Sequence, residues 1–218
     1  THDTGDSYVD YGATDAIKMG PVAGETITVT GVSRTNTTGT LSELLNIGSA
    51  SLATGNYTVI LHGNTLAGLS PTGADLLMNN TVGDSTLDTT GGAANTFNRG
   101  GLNARTFAAG KNLVINLGAD TFNSPTTNTS LRAWSAGNVT LDSLAIMNVA
   151  GVGTGIDLNI TAGTGSINVG SKNGGLGGTI TATTGIGINA IGISGVSNSI
   201  ILGANSVINA KNGIVGSG

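Results

Sequence analysis

The sequence predicts an all-β chain wound as a parallel β-helix, a solenoid carrying loop insertions and a less regular N-terminal half. Three observations predict it. Short stretches alternate apolar and polar residues with a period of two, the mark of strands with one buried face. The gaps between them are filled with Gly, Asn, Ser and Thr, which let the backbone turn sharply. The stretches also recur at a near-constant interval, as repeat architectures require.

The recurrence is plainest in the C-terminal half. The triplets Met147-Asn148-Val149, Ile167-Asn168-Val169, Ile188-Asn189-Ala190 and Ile208-Asn209-Ala210 begin 20, 21 and 20 residues apart. A second series, Val139-Thr140-Leu141, Leu158-Asn159-Ile160, Ile180-Thr181-Ala182 and Ile200-Ile201-Leu202, steps by 19, 22 and 20. Coils of this length stacked at the strand spacing of a sheet predict roughly ten or eleven turns over about 50 Å if the whole chain winds this way. Ile167, Ile188 and Ile208 then share one internal column. The central Asn of each triplet faces outward, where its amide can pair with that of a neighbouring coil.

Toward the N-terminus, Ile27-Thr28-Val29, Tyr57-Thr58-Val59-Ile60-Leu61 and Leu113-Val114-Ile115-Asn116-Leu117 read as strands whose spacings are not clean multiples of one coil. Insertions are expected at 40–53, where Ser42-Glu43-Leu44-Leu45 can open a short helix behind a hydroxyl cap, at 74–78, and at 83–110. The last is polar, Gly-rich and carries Arg99 and Arg105. Loops protruding from a rigid solenoid are where binding specificity usually sits. The chain is read as one unit, 1–218, with an N-terminal segment over 1–24, irregular coils over 25–134 and regular coils over 135–218.

Composition narrows the classes further. The chain has 218 residues with 37 Gly but only 3 Pro, and the glycines do not fall on every third position, which excludes collagen. Charged residues make up 9%, unlike chains that stay disordered through charge, and with 3% aromatics the core must be built from Val, Ile, Leu and Ala. There is no Cys, so disulfides and thiolate chemistry are absent. A net charge of −4 with 8 basic residues argues against nucleic acid. No apolar run is long enough for a membrane span, and a chain opening on Thr1 reads as a mature or excised fragment.

The units Ala109-Gly110-Lys111-Asn112-Leu113-Val114-Ile115 and Ser135-Ala136-Gly137-Asn138-Val139-Thr140-Leu141 resemble the Gly-Asn-aliphatic-x-aliphatic repeats of filamentous-haemagglutinin-type proteins. Thr183-Thr184-Gly185-Ile186-Gly187-Ile188-Asn189-Ala190 similarly resembles autotransporter passenger domains. Both belong to type V secretion. The resemblance covers residues 109–215 and implies a right-handed parallel β-helix, secreted or displayed on the bacterial surface, that engages host cells. The chain departs from the pattern in lacking a membrane-barrel segment and in a first half that does not show the repeat cleanly, and the Gly-Asp-Ser-Gly motif of the serine-protease members is missing.

Little in the chain points to catalysis. Its two histidines are His2, near the terminus, and His62, which follows a strand without a Gly-x-Ser-x-Gly turn. Glycan-cleaving β-helices need convergent carboxylates. Here Asp142 and Asp157 are 15 apart and need not share a face, while Asp84 and Asp88 fall in the irregular segment. The acids Asp3, Asp6, Asp10 and Asp15 lack the ligand order of a calcium loop. Thr26-Ile27-Thr28 and Thr179-Ile180-Thr181 are similar to ice-binding threonine arrays, but Asn or Gly stands near 159 and 201 where the array would continue. Asn-x-Ser/Thr sequons at Asn36, Asn56, Asn79, Asn128, Asn138 and Asn159 follow from composition. Trp134, the single Trp, is expected to point inward with Arg132 partly exposed.

The expectation is therefore a non-enzymatic passenger domain, monomeric and without metal or cofactor, that binds a host-cell surface protein or glycan as an adhesin or released effector. Arg99, Arg105, Arg132 and Trp134 are its candidate binding residues. A structural β-helix of a phage tail fibre or surface layer is the alternative, and a glycan-cleaving β-helix the third reading.

Overall fold

A computed structural model describes residues 8–10, 17–35, 43–48, 55–67, 74–98, 101–124, 129–161, 165–171, 174–193 and 196–217. Among them there is no helix. The chain opens with β1 (Tyr8–Asp10) and then repeats a three-strand unit: β2 (Ile17–Gly20), β3 (Glu25–Thr30), β4 (Ser33–Thr35), then β5 (Glu43–Ile47), β6 (Tyr57–His62), β7 (Thr65–Ala67). It continues with β8 (Ala74–Asn80), β9 (Ser85–Asp88), β10 (Thr96–Phe97), and β11 (Leu102–Thr106), β12 (Leu113–Leu117), β13 (Thr121–Ser124). Next come β14 (Leu131–Ser135), β15 (Val139–Ser143), β16 (Ile146–Val149), and β17 (Thr154–Ile160), β18 (Ile167–Val169). The long strand β19 (Thr179–Ile191), the short β20 (Ser199–Ile200) and β21 (Val207–Ser217) complete the order.

Every third strand pairs with the next in parallel, giving three walls. The first wall is β2-β5-β8-β11-β14-β17 and the second half of β19; the second is β3-β6-β9-β12-β15-β18-β20. The third is β4-β7-β10-β13-β16 and the first half of β19. β19 bends from the third wall to the first, with a register shift between Ala182 and Ile186 where it pairs with β21. The result is a parallel β-solenoid of about 6 turns. Among the described strands only β1 runs antiparallel, along the edge of β2.

In-register pairing puts like residues above like inside the solenoid. Leu45, Leu76, Leu102, Leu131, Ile156 and Ile188 form one column of the first wall. Ile27, Val59, Leu87, Ile115, Leu141 and Val169 form the second-wall column. The third-wall column runs Leu66, Phe97, Phe122, Met147, Ile180, Ile208, with the rings of Phe97 and Phe122 stacked 4.6 Å apart. Burying each such side chain contributes about 1.5–3 kcal/mol. This is how a chain with few aromatics holds a core.

These registers correct the coil length. Successive members of the second-wall column lie 32, 28, 28, 26 and 28 residues apart, so a turn is nearer thirty residues than twenty and there are fewer turns than the shorter coil implied. Met147, Ile167, Ile188 and Ile208 sit in β16, β18, β19 and β21, on the third, second, first and third walls in turn. The interval of twenty is two strands, or two-thirds of a turn, and Ile167, Ile188 and Ile208 do not stack on one another.

The described parts of the expected N-terminal insertions are corrected, while 40–42 and 49–53 lie outside the described residues. Glu43–Ile47 is a strand, not the start of a helix, because Leu44, Leu45 and Ile47 are buried between β2 and β8. Ala74–Asn80 is a wall strand. The 83–110 segment, of which 99–100 lie outside the described residues, holds β9, β10 and β11; Asp84 and Asn95 serve corners between walls, while Asn103 and Arg105 stand on a wall strand.

Those corners carry two hydrogen-bonded ladders. Between the first and second walls, the backbone N–H of Asp84, Asn112, Asn138 and Ser166 donates to the side-chain oxygen of Asn56, Asp84, Asn112 and Asn138 respectively, at 2.7–3.1 Å. Each corner thus reaches back to the preceding coil. Between the second and third walls the sense reverses: Val32, Asn64 and Asn95 donate their N–H to Asn64, Asn95 and Asp120 of the following coil at 2.9, 3.0 and 2.7 Å. This second ladder is buried, and it ends on Asp120, which only accepts and also takes the Thr89 hydroxyl. A Cβ at Gly83, Gly137 or Gly165 would run into the backbone of the coil beneath, which is why Gly precedes the ladder residue at these corners.

Candidate functional site

The exterior of the first wall brings the single Trp, Trp134, together with Arg105 and Arg132. In β14 the burial alternates, with Leu131, Ala133 and Ser135 inward and Arg132 and Trp134 outward. The expected inward Trp is therefore corrected. Its strand is phased by Leu131 and Ala133, which stack on Leu102 and Ala104 of β11. Those columns leave Trp134 the opposite face of the strand.

Register pairs Trp134 with Arg105 on the preceding coil and with Asn159 on the following one, and Arg132 with Asn103 and Asp157. The Arg105 guanidinium lies 4.8 Å from the indole centroid and that of Arg132 4.9 Å. Cation–π contacts of this kind contribute about 0.5–2 kcal/mol depending on solvation. Asp157 is the acceptor that holds the group together. Its Oδ2 accepts from Arg132 Nε and Trp134 Nε1, both at 3.2 Å, and its Oδ1 from Asn189 Nδ2 at 2.8 Å. Asn103 Oδ1 accepts from Arg105 Nε at 3.0 Å.

Burial, and secondly the Arg132 charge, push the Arg105 guanidinium below its ordinary proton affinity. Two guanidiniums meet here with one carboxylate, which pairs with Arg132 alone, so the patch is positive on a chain whose net charge is −4. Of the sequence-derived binding residues, Arg105, Arg132 and Trp134 come together in space. Arg99 lies outside the described residues, as do His2, Asp3, Asp6, Asp15, Asn36 and Asn128.

The remaining chemistry-bearing residues are dispersed. His62 Nε2 is 2.9 Å from the Thr90 carbonyl oxygen, and its ring fills the space beside Gly92. Asp142 and Asp157 stand on the second and first walls. Asp84 belongs to a corner ladder, and Asp88 Oδ1 accepts from the Thr90 N–H and hydroxyl at 2.8 and 2.7 Å. Among the described residues no group of three or more His, Cys, Asp or Glu is placed to hold a metal ion. Thr26, Thr58 and Thr86 do stack in register, but the column beside them is Thr28, Ile60 and Asp88, so no two-column threonine array forms.

On the third wall, Asn148 donates to Asn123 and Asn123 to Asn98 at 3.0 and 2.9 Å, an outward amide ladder of the kind the triplets predict. Asn98, Asn123, Asn148 and Thr181 line an open depression of about 350 Å³. No helix among the described residues is long and apolar enough to cross a membrane. No protein-family model matches the chain, and no curated protein or solved structure matches it either.

Proposed function

We propose that this chain is a non-catalytic, exported bacterial passenger domain that binds a molecule on a host-cell surface through the outer face of its first wall. The observation carrying this reading is the Arg105–Trp134–Arg132 cluster, which faces solvent and is held in place by three consecutive coils. Trp and Arg are the residue types most enriched where binding energy concentrates. A strand wall with both neighbours paired keeps such side chains ordered before any ligand arrives, which lowers the entropic cost of association. The likeness to type V passengers supplies the exported setting.

The test is binding of fluorescently labelled chain to cultured epithelial cells, measured by flow cytometry. The Arg105→Ala/Arg132→Ala double variant loses most of the binding while its melting temperature stays within a few degrees of the parent's. Undiminished binding by a folded double variant overturns the reading.

A further inference from the structure

Resting on that reading, we infer that the Arg105–Arg132 pair takes a carboxylate-bearing saccharide. The inference starts from which donors are used. Asp157 is filled on both oxygens by Arg132 Nε, Trp134 Nε1 and Asn189 Nδ2. Arg105 Nε is bound to Asn103. The terminal Nη groups of Arg105 and Arg132 have no acceptor among the described residues, although both guanidiniums stand within 5 Å of the Trp134 centroid. Two guanidiniums are thus held by their Nε groups against one indole, with their Nη groups still to be paired.

Planar, paired N–H groups match the two oxygens of a carboxylate, which they bind through parallel hydrogen bonds. Such a ligand would also offset the repulsion between Arg105 and Arg132, of which Asp157 neutralises one charge. The indole surface is already covered by guanidinium, so Trp134 acts as the spacer that sets their separation rather than as a stacking platform for a neutral sugar.

The surroundings favour a saccharide over an acidic peptide. Asn159 flanks the pair in register with Trp134, and an amide both donates to and accepts from sugar hydroxyls. The outward register neighbours of Arg132 and Trp134 are Asn103, Asp157, Arg105 and Asn159, all polar, which offers no apolar anchor point for a peptide side chain. Half-exposed charges make the binding fall with added salt.

The experiment is titration calorimetry of the whole chain with an oligosaccharide of alternating glucuronate and N-acetylglucosamine. Its carboxyl-reduced counterpart, a sulfated oligosaccharide without carboxylates and a glutamate hexapeptide serve as comparators. The uronate oligosaccharide binds, carboxyl reduction weakens it about tenfold or more, and Arg105→Lys, which keeps the charge but removes the fork, does the same. Equal binding of the carboxyl-reduced sugar, or tighter binding of the sulfated sugar or the hexapeptide, overturns the assignment. If Arg105→Lys folds poorly, loss of uronate-induced quenching of Trp134 fluorescence in Asn159→Ala and Asn103→Ala is the second readout. Failure here is separable from failure of the host-binding reading. Cell binding lost in the double variant without uronate affinity leaves that reading standing and removes this one, and uronate affinity without cell binding does the reverse.

Discussion

Arg105 and Trp134 occupy the same register position on adjacent coils, and the guanidinium of the one lies 4.8 Å from the indole centroid of the other. The contact exists because β11 and β14 are phased identically, with Leu102 over Leu131 and Ala104 over Ala133. Replacing Trp134 by Ala removes the surface against which both guanidiniums rest and an N–H donor to Asp157. The expected loss is about 1–2 kcal/mol in urea unfolding. Arg105→Ala costs less in the parent and almost nothing in the Trp134→Ala background, a coupling that a double-mutant cycle reads directly.

The glycine corners make a prediction with an internal control. Gly137→Ala drives a Cβ into the Lys111 carbonyl and is expected to cost more than about 2 kcal/mol, because backbone of the neighbouring coil must move. Gly110 has φ +71 but open space around it. Its Ala variant bears only the conformational cost, about 1 kcal/mol. Comparable losses for the two would mean that close coil approach is not what selects glycine.

The buried corner ladder through Asn95 and the outward ladder of the third wall differ in depth, and their variants should differ accordingly. Asn95 is fully buried and links Asn64, Leu61 and Asp120. Asn95→Ala leaves the Asn95 partners unsatisfied inside the protein, with an expected loss of about 2–4 kcal/mol. Asn123→Ala opens the outward ladder of the third wall, where water replaces the lost amide, and should cost less than about 1 kcal/mol. Chemical denaturation of both variants checks the ordering.

Tyr57 gives the fold an alkaline limit. Burial raises its phenol above the ordinary value, against a smaller opposing effect from Ser85, and its hydroxyl donates to the Asn79 carbonyl at 2.8 Å. A raised folded-state pKa means the native protein holds the proton more tightly than the unfolded chain. Its contribution is complete below the unfolded phenol pKa of about 10 and declines as pH rises beyond it. Stability should therefore fall above about pH 10. The Tyr57→Phe variant should lose part of that slope, measured by melting temperature between neutral pH and pH 11.

The fold class was legible because strands with one buried face write a period of two into the chain, and the coil length was not because three walls of similar sequence alias it. Aliphatic–Asn–aliphatic triplets occur on every wall, so a series taken across walls shows an interval that belongs to none. The true register is carried by another unit: Gly55-Asn56-Tyr57, Gly83-Asp84-Ser85, Gly137-Asn138-Val139 and Gly165-Ser166-Ile167, each opening a second-wall strand. The site was legible by residue type alone. That Arg105 meets Trp134 follows only once Leu102-Asn103-Ala104-Arg105-Thr106 is laid on Leu131-Arg132-Ala133-Trp134-Ser135, an alignment that also turns the indole outward.

Coil lengths vary along this solenoid while the strands stay aligned, so the extra residues are taken up where the chain changes wall. The straight segments behave as a pegboard of fixed pitch and the bends as its adjustable joints. Moving Leu102–Thr106, Leu131–Ser135 and Thr154–Ile160 together to the equivalent holes on three other consecutive coils would therefore relocate their chemistry along the rod, without redesigning what lies beneath.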